Sequence, residues 1–234
     1  SDVCSSDLGL LPMILAIGNY HATSNTLANQ ALAKGLFATL LPMIPLGLVI
    51  LPFTISFGRD MADGVTTRFV LFGYRMAKQL VAKFVSVAIL VSLVTVVYCL
   101  VLYQVLPLPS MSMLSLANVF ASTMILTAAL YLLSFAIAQV FKGFNMIQGV
   151  AMVCYFGIAF LTGSMGTFQL PRTLEKAIEW IPFAAIRETL KMHWGSNTVT
   201  DMQTEWFKLI VFLLITLFLF GLAEFYRRLK IHAV

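Results

Sequence analysis

Charge is what this sequence has least of: Asp, Glu, Lys and Arg make up 11% of its 234 residues, against roughly 25% in a soluble domain. Histidine is as scarce. His21, His193 and His232 stand at separate loops or ends, and no pair has metal-ligand spacing. The cysteines are Cys4, Cys99 and Cys154, which supply neither a disulfide framework nor a zinc site. Cys99 and Cys154 fall inside apolar stretches, where a free thiol behaves as a small hydrophobe. The sequence has no Gly-x-x-x-x-Gly-Lys-Ser/Thr loop, so it cannot cradle the phosphates of ATP in that manner. No basic run accompanies the net charge of +5, and no nucleic-acid partner is expected.

What abounds is apolar. Some 60% of the residues are hydrophobic even with the 14 glycines left out, against roughly 45 to 50% with glycine included in soluble domains. A soluble chain of this length could not hide that much apolar surface, because much of a folded protein's surface stays in water. Lipid is the solvent that fits. The reading is an all-α polytopic membrane protein.

Uncharged stretches run from Gly35 to Gly58, Phe84 to Phe141, Gly143 to Pro171 and Leu209 to Ala223. A spanning helix needs roughly 20 residues, so the second stretch must cross twice. Its break falls at Pro107-Leu108-Pro109-Ser110, where two prolines remove backbone donors and turn the preceding residues away from helix. Six spans are expected, near 9–21, 35–58, 80–106, 113–140, 145–166 and 206–226, the first of them truncated. Residues Ser1 to Leu8 carry none of this pattern and are similar to a translated sequencing adapter. They are expected to be non-native, with 9–234 forming a single transmembrane domain.

Basic residues concentrate in cytoplasmic loops. Nine of the fifteen, Arg59, Arg68, Arg75, Lys78, Lys83, Lys142, Arg227, Arg228 and Lys230, belong to one alternate set of loops and ends. That set, with the C-terminus, is expected to face the cytoplasm. One of its loops carries Arg59, Asp60, Asp63, Gly64, Thr66, Thr67 and Arg68, followed by an apolar patch at Phe69 to Phe72. Gly64 suits a helix stop, and Thr66 and Thr67 suit turn or capping positions. The shape expected is a short acidic helix, a turn, the apolar patch and an amphipathic entry into the third span. The patch beside mixed charges fits a docking surface, and fits equally a segment lying in the headgroup layer.

On the other side, Gly166 to Glu205 is long for a loop, and Leu174, Ile178, Ile181 and Ala185 recur at helical spacing. Pro182 sits where a second short helix could start. Two half-buried amphipathic helices on the outer leaflet are expected, with Trp180, Trp194 and Trp206 at the membrane boundary. Within the spans, Asn118, Gln139 and Gln148 are expected to hydrogen-bond between helices.

This layout resembles the permease subunits of type 2 ATP-binding-cassette (ABC) exporters. The resemblance rests on six spans, on the loop with Asp60, Asp63, Gly64, Thr66 and Thr67, and on the Leu170-Pro171 amphipathic segment before the last span. It covers nearly the whole chain from Gly9, with aspartate where the family commonly has glutamate. It implies a bacterial cytoplasmic membrane, a second permease chain in a homodimer that lines the pathway, and a separate ATPase subunit. ATP and magnesium would be bound by that ATPase, with no cofactor on this chain. Segment 59–68 would be the coupling helix that receives ATPase closure. An intramembrane lipid-modifying enzyme would require paired ionisable groups at one depth, and an ion-coupled secondary carrier a buried charge; the spans offer neither.

Overall fold

The computed structural model describes residues 3–21, 26–72, 76–141, 143–161, 181–192, 194 and 203–232. All of its regular structure is helical. Five helical stretches are long and apolar enough to cross a membrane: Thr26–Ala62, Lys78–Val105, Met113–Val140, Phe144–Leu161 and Trp206–Phe225. The protein is a multi-pass membrane protein. The shorter helix α1 (Val3–Gly18) precedes them, running back through the residues that the sequence pattern sets apart.

The first long stretch is assembled from α2 (Thr26–Leu40), the single turn α3 (Met43–Pro45), a π-helical segment (Leu46–Ile50) and α4 (Leu51–Ala62). It starts nine residues before the expected boundary at 35. Charge marks the edge of an uncharged run, not the edge of a helix, and one Lys34 within Leu27 to Leu40 leaves a sequence rich in helix formers. Pro42, Pro45 and Pro52 interrupt its backbone ladder, and the wide π turn lies between the last two.

After α5 (Val65–Leu71) come α6 (Met76–Val105) and α7 (Met113–Val140), separated at the expected proline break. Ser112 caps α7 by accepting from the Ser115 amide at 3.1 Å. Next are α8 (Phe144–Leu161), α9 (Pro182–Met192) and α10 (Gln203–His232).

Burial sorts the bundle. In their most apolar windows Thr26–Ala62 is 72% buried and Met113–Val140 61%, while the other three spans are only 17–28% buried. The first two form the centre and α6, α8 and α10 the wall. On α6, Val81, Val85, Ile89, Leu93 and Leu100 make an exposed stripe at helical spacing. Such a face suits hydrocarbon and would be a liability in water.

Buried polar side chains bind mostly to their own helix. Thr95, Ser122, Thr123, Thr127 and Ser134 donate to carbonyls four residues back at 2.7–2.9 Å. Gln139 follows the expected interhelical pattern, its Nε2 donating to Glu224 Oε2 on α10 at 3.2 Å. Between α4 and α8, a Cβ on Gly58 would meet Ile147 at 3.0 Å, so glycine is what allows these helices their close approach.

Residues 162–180, with the first of the two expected outer helices and Trp180, lie outside the described residues. The second helix is α9, starting at Pro182 as expected. Phe183, Ala184, Ala185, Ile186 and Leu190 are buried, and the helix packs on α2 and α10. Trp194 follows α9 and is turned into the protein. It is 3% exposed, its ring lies edge-on to Phe37 at 5.1 Å, and its Nε1 donates to the Pro109 carbonyl at 3.0 Å. A backbone carbonyl thus meets the polar end of the indole, the kind of partner a buried tryptophan requires.

Candidate functional site

The charged loop residues do not form one coupling helix over 59–68. Helix α4 leaves the bundle centre and continues through Arg59 and Asp60 to Ala62, so these two stand on its last turns. Asp63 caps it, its amide donating to the Arg59 carbonyl at 2.8 Å. Gly64 then takes φ +66°, the left-handed conformation that ends helices and favours glycine. Its carbonyl accepts from the Arg68 amide at 3.0 Å, which opens α5.

Thr66 and Thr67 therefore lie inside the first turn of α5, and Gly64 occupies the position before the helix that was expected of a threonine. The reason is local: once glycine has reversed the chain, its own carbonyl starts the next helix. Arg75 and Lys142 lie outside the described residues.

Arg59 and Asp60 face different neighbours. The Arg59 guanidinium lies 5.5 Å from the centre of the Phe144 ring on α8. Asp60 forms an ion pair with Lys83 on α6, the two side chains about one third exposed at 30% and 34%. The Lys83 ammonium also lies 4.8 Å from the Phe57 ring centre. A pair this exposed contributes no more than about 1 kcal/mol by itself. Its value is positional: with the Tyr131 hydroxyl donating to the Leu80 carbonyl at 2.8 Å, it ties α4, α6 and α7 together at one end of the bundle.

Lys83 was not singled out in the sequence. A signal existed. Asp60 stands two residues beyond the uncharged run ending at Gly58, and Lys83 one residue before the run beginning at Phe84, so consecutive antiparallel spans bring them to matching depth.

Asp63 and Arg68 are exposed at the elbow between α4 and α5. Beyond them Phe69 is 44% exposed and Leu71 and Phe72 each 81%. The site is thus a tip: a helix end from the bundle centre, a glycine elbow, a short helix, and an apolar edge beside charges of both signs. Among the described residues no group of three or more His, Cys, Asp or Glu could hold a metal ion. No family model matches the sequence, and no curated protein matches it.

Proposed function

We propose that this protein is the transmembrane permease subunit of an ATP-driven exporter of the type 2 ABC kind, coupled to a separate ATPase subunit through the α4–α5 tip. The observation that carries the reading is the continuity of α4. The same helix lies in the buried centre at Thr54 and Phe57 and ends at the exposed Asp63–Gly64 elbow. A push on the elbow is transmitted along a rigid element to the middle of the bundle.

In this reading the tip faces the cytoplasm, as the distribution of basic residues indicates. Asp63 and Arg68 supply charges to the ATPase surface, and Phe69, Leu71 and Phe72 supply the apolar contact. Arg59 and Asp60 work from behind, holding the end of α4 to α8 and α6. The pathway forms between two copies of the chain.

Asp63→Arg tests the proposal. Replacing a solvated charge leaves binding almost unchanged, whereas reversing one inside an interface weakens it by at least about tenfold, or 1.4 kcal/mol. The variant is expected to insert and fold normally, to lose the ATPase on co-purification, and to lose substrate-stimulated ATP hydrolysis. Retention of both the partner and the stimulation would remove Asp63 from the coupling surface.

A further inference from the structure

Two cavities meet at the tip end of the bundle, and they share Leu80 and Phe135 as walls. The first, about 230 Å³, is lined by Asp60, Gln79 and Lys83 together with Phe57, Val65 and Phe69. The second, about 310 Å³, continues between α6, α7 and α10, lined by Val81, Phe84, Ala128, Leu132 and Phe220. Its walls are hydrocarbon and aromatic carbon almost throughout. Val81, on the exposed apolar stripe of α6, forms part of its wall, so an acyl chain can enter from that side.

Depth fits the same division. Gln79 and Lys83 lie in the first turns of α6, ahead of the uncharged run, while Leu132 and Ala128 lie about two and three turns inside the end of α7. At 1.5 Å per residue, the polar cavity is at headgroup level and the groove beneath it at acyl level.

The polar cavity has an unmet requirement. Gln79 Nε2 is buried with no hydrogen-bond partner among the described residues. A buried amide donor without an acceptor is costly, and a phosphate or ester oxygen placed there would satisfy it. Beside it stand one ammonium, Lys83, and one carboxylate, Asp60. That arrangement complements a headgroup carrying both signs.

We infer that this cleft binds a zwitterionic glycerophospholipid of the bilayer. Its phosphate meets Gln79 and Lys83, its amine faces Asp60, and one acyl chain lies along Phe84, Ala128 and Leu132. Val65 and Phe69 of α5 also line the polar cavity, so the site borders the tip. The inference does not need the coupling role, and loss of lipid label and loss of ATPase binding are separate readouts.

The test uses the full chain in vesicles of phosphatidylcholine and phosphatidylglycerol, doped with phosphatidylethanolamine carrying a photoreactive acyl chain. Label is expected to concentrate on peptides containing residues 80–84 and 128–135. Ala128→Trp, or Leu132→Trp should the first misfold, fills the groove and abolishes that label. Gln79→Leu removes one hydrogen bond and lowers it by about fivefold. Leu93→Trp, higher on the exposed stripe of α6, leaves it unchanged.

Label spread evenly over α6, α8 and α10 and indifferent to Ala128→Trp would overturn the site. So would oxidation of the Val81→Cys variant to a disulfide between two copies of the chain, which would make the groove an interface. Equal labelling by a photoreactive phosphatidylglycerol would refute recognition of a zwitterion.

Discussion

Trp194→Ala is expected to destabilise the protein by about 3 to 5 kcal/mol, the range for truncating a buried Trp or Phe. The indole is 3% exposed and stands where three parts of the chain meet. Its own segment follows α9, its ring packs edge-on to Phe37 of α2, and its Nε1 holds the Pro109 carbonyl in the α6–α7 connection. Phe37 in turn stacks at 5.1 Å on Tyr98, whose hydroxyl donates to the Phe37 carbonyl at 3.0 Å. Removing the indole leaves a cavity among rings that cannot collapse into it. Trp194→Phe separates packing from hydrogen bonding: it keeps most of the ring, and the Pro109 carbonyl still accepts from Tyr103 at 3.5 Å. Its cost should be about 1 kcal/mol. Equilibrium unfolding in mixed micelles measures both. A loss under about 1 kcal/mol for the alanine variant would show that the cluster contributes little.

Phe57→Ala should have an effect of similar size, about 3 kcal/mol, at the opposite end. Phe57 is 4% exposed and meets Tyr131 at 5.5 Å and Phe135 at 5.2 Å, both near edge-on, with Phe53 at 6.2 Å. Each such ring pair adds about 0.5 to 1.5 kcal/mol beyond burial. The ring also underlies the Lys83 ammonium, so its loss weakens the tie between α4 and α6. Phe57→Leu keeps much of the volume and should cost roughly half as much. Unfolding in the same micelles distinguishes them. A Phe57→Leu variant as stable as the unchanged chain would mean that the aromatic contacts carry no energy of their own.

These two clusters show where reading the sequence succeeds and where it stops. Five of the six expected spans were legible because an uncharged run of sufficient length has one economical fate in a bilayer, and the break at Pro107 and Pro109 because proline acts on its own neighbours. The stop at Gly64 was legible for the same reason. The start of the first long stretch at Thr26 was missed because Lys34 interrupts a run without interrupting a helix. Thr66 and Thr67 suit turn or capping positions by residue type, yet both fall in the first turn of α5. The hydroxyls of Thr123 and Ser134 turned to their own helix, a choice fixed by rotamer and not by composition. Of the candidate site, the elbow was visible and its anchoring was not. Asp60 with Lys83, and Arg59 with Phe144, are contacts between distant segments. Matching offsets from the span ends give Asp60 and Lys83 a common depth, but which residues then meet depends on how the spans pair.

The π segment at Leu46–Ile50 has a bearing on insertions and deletions. In angular register, such a turn is an α-helix holding one residue too many. Each residue of an α-helix advances its faces by about 100°, so deleting one residue between 53 and 57 would rotate everything beyond it. Asp60 would turn away from Lys83, and Gly58 from Ile147. A deletion within 46–50 has the opposite character: the wide turn tightens to an ordinary one, and the faces above and below keep their directions. The middle of the most buried helix is thus the place along Thr26–Ala62 where the chain can lose a residue and keep its alignment at both ends.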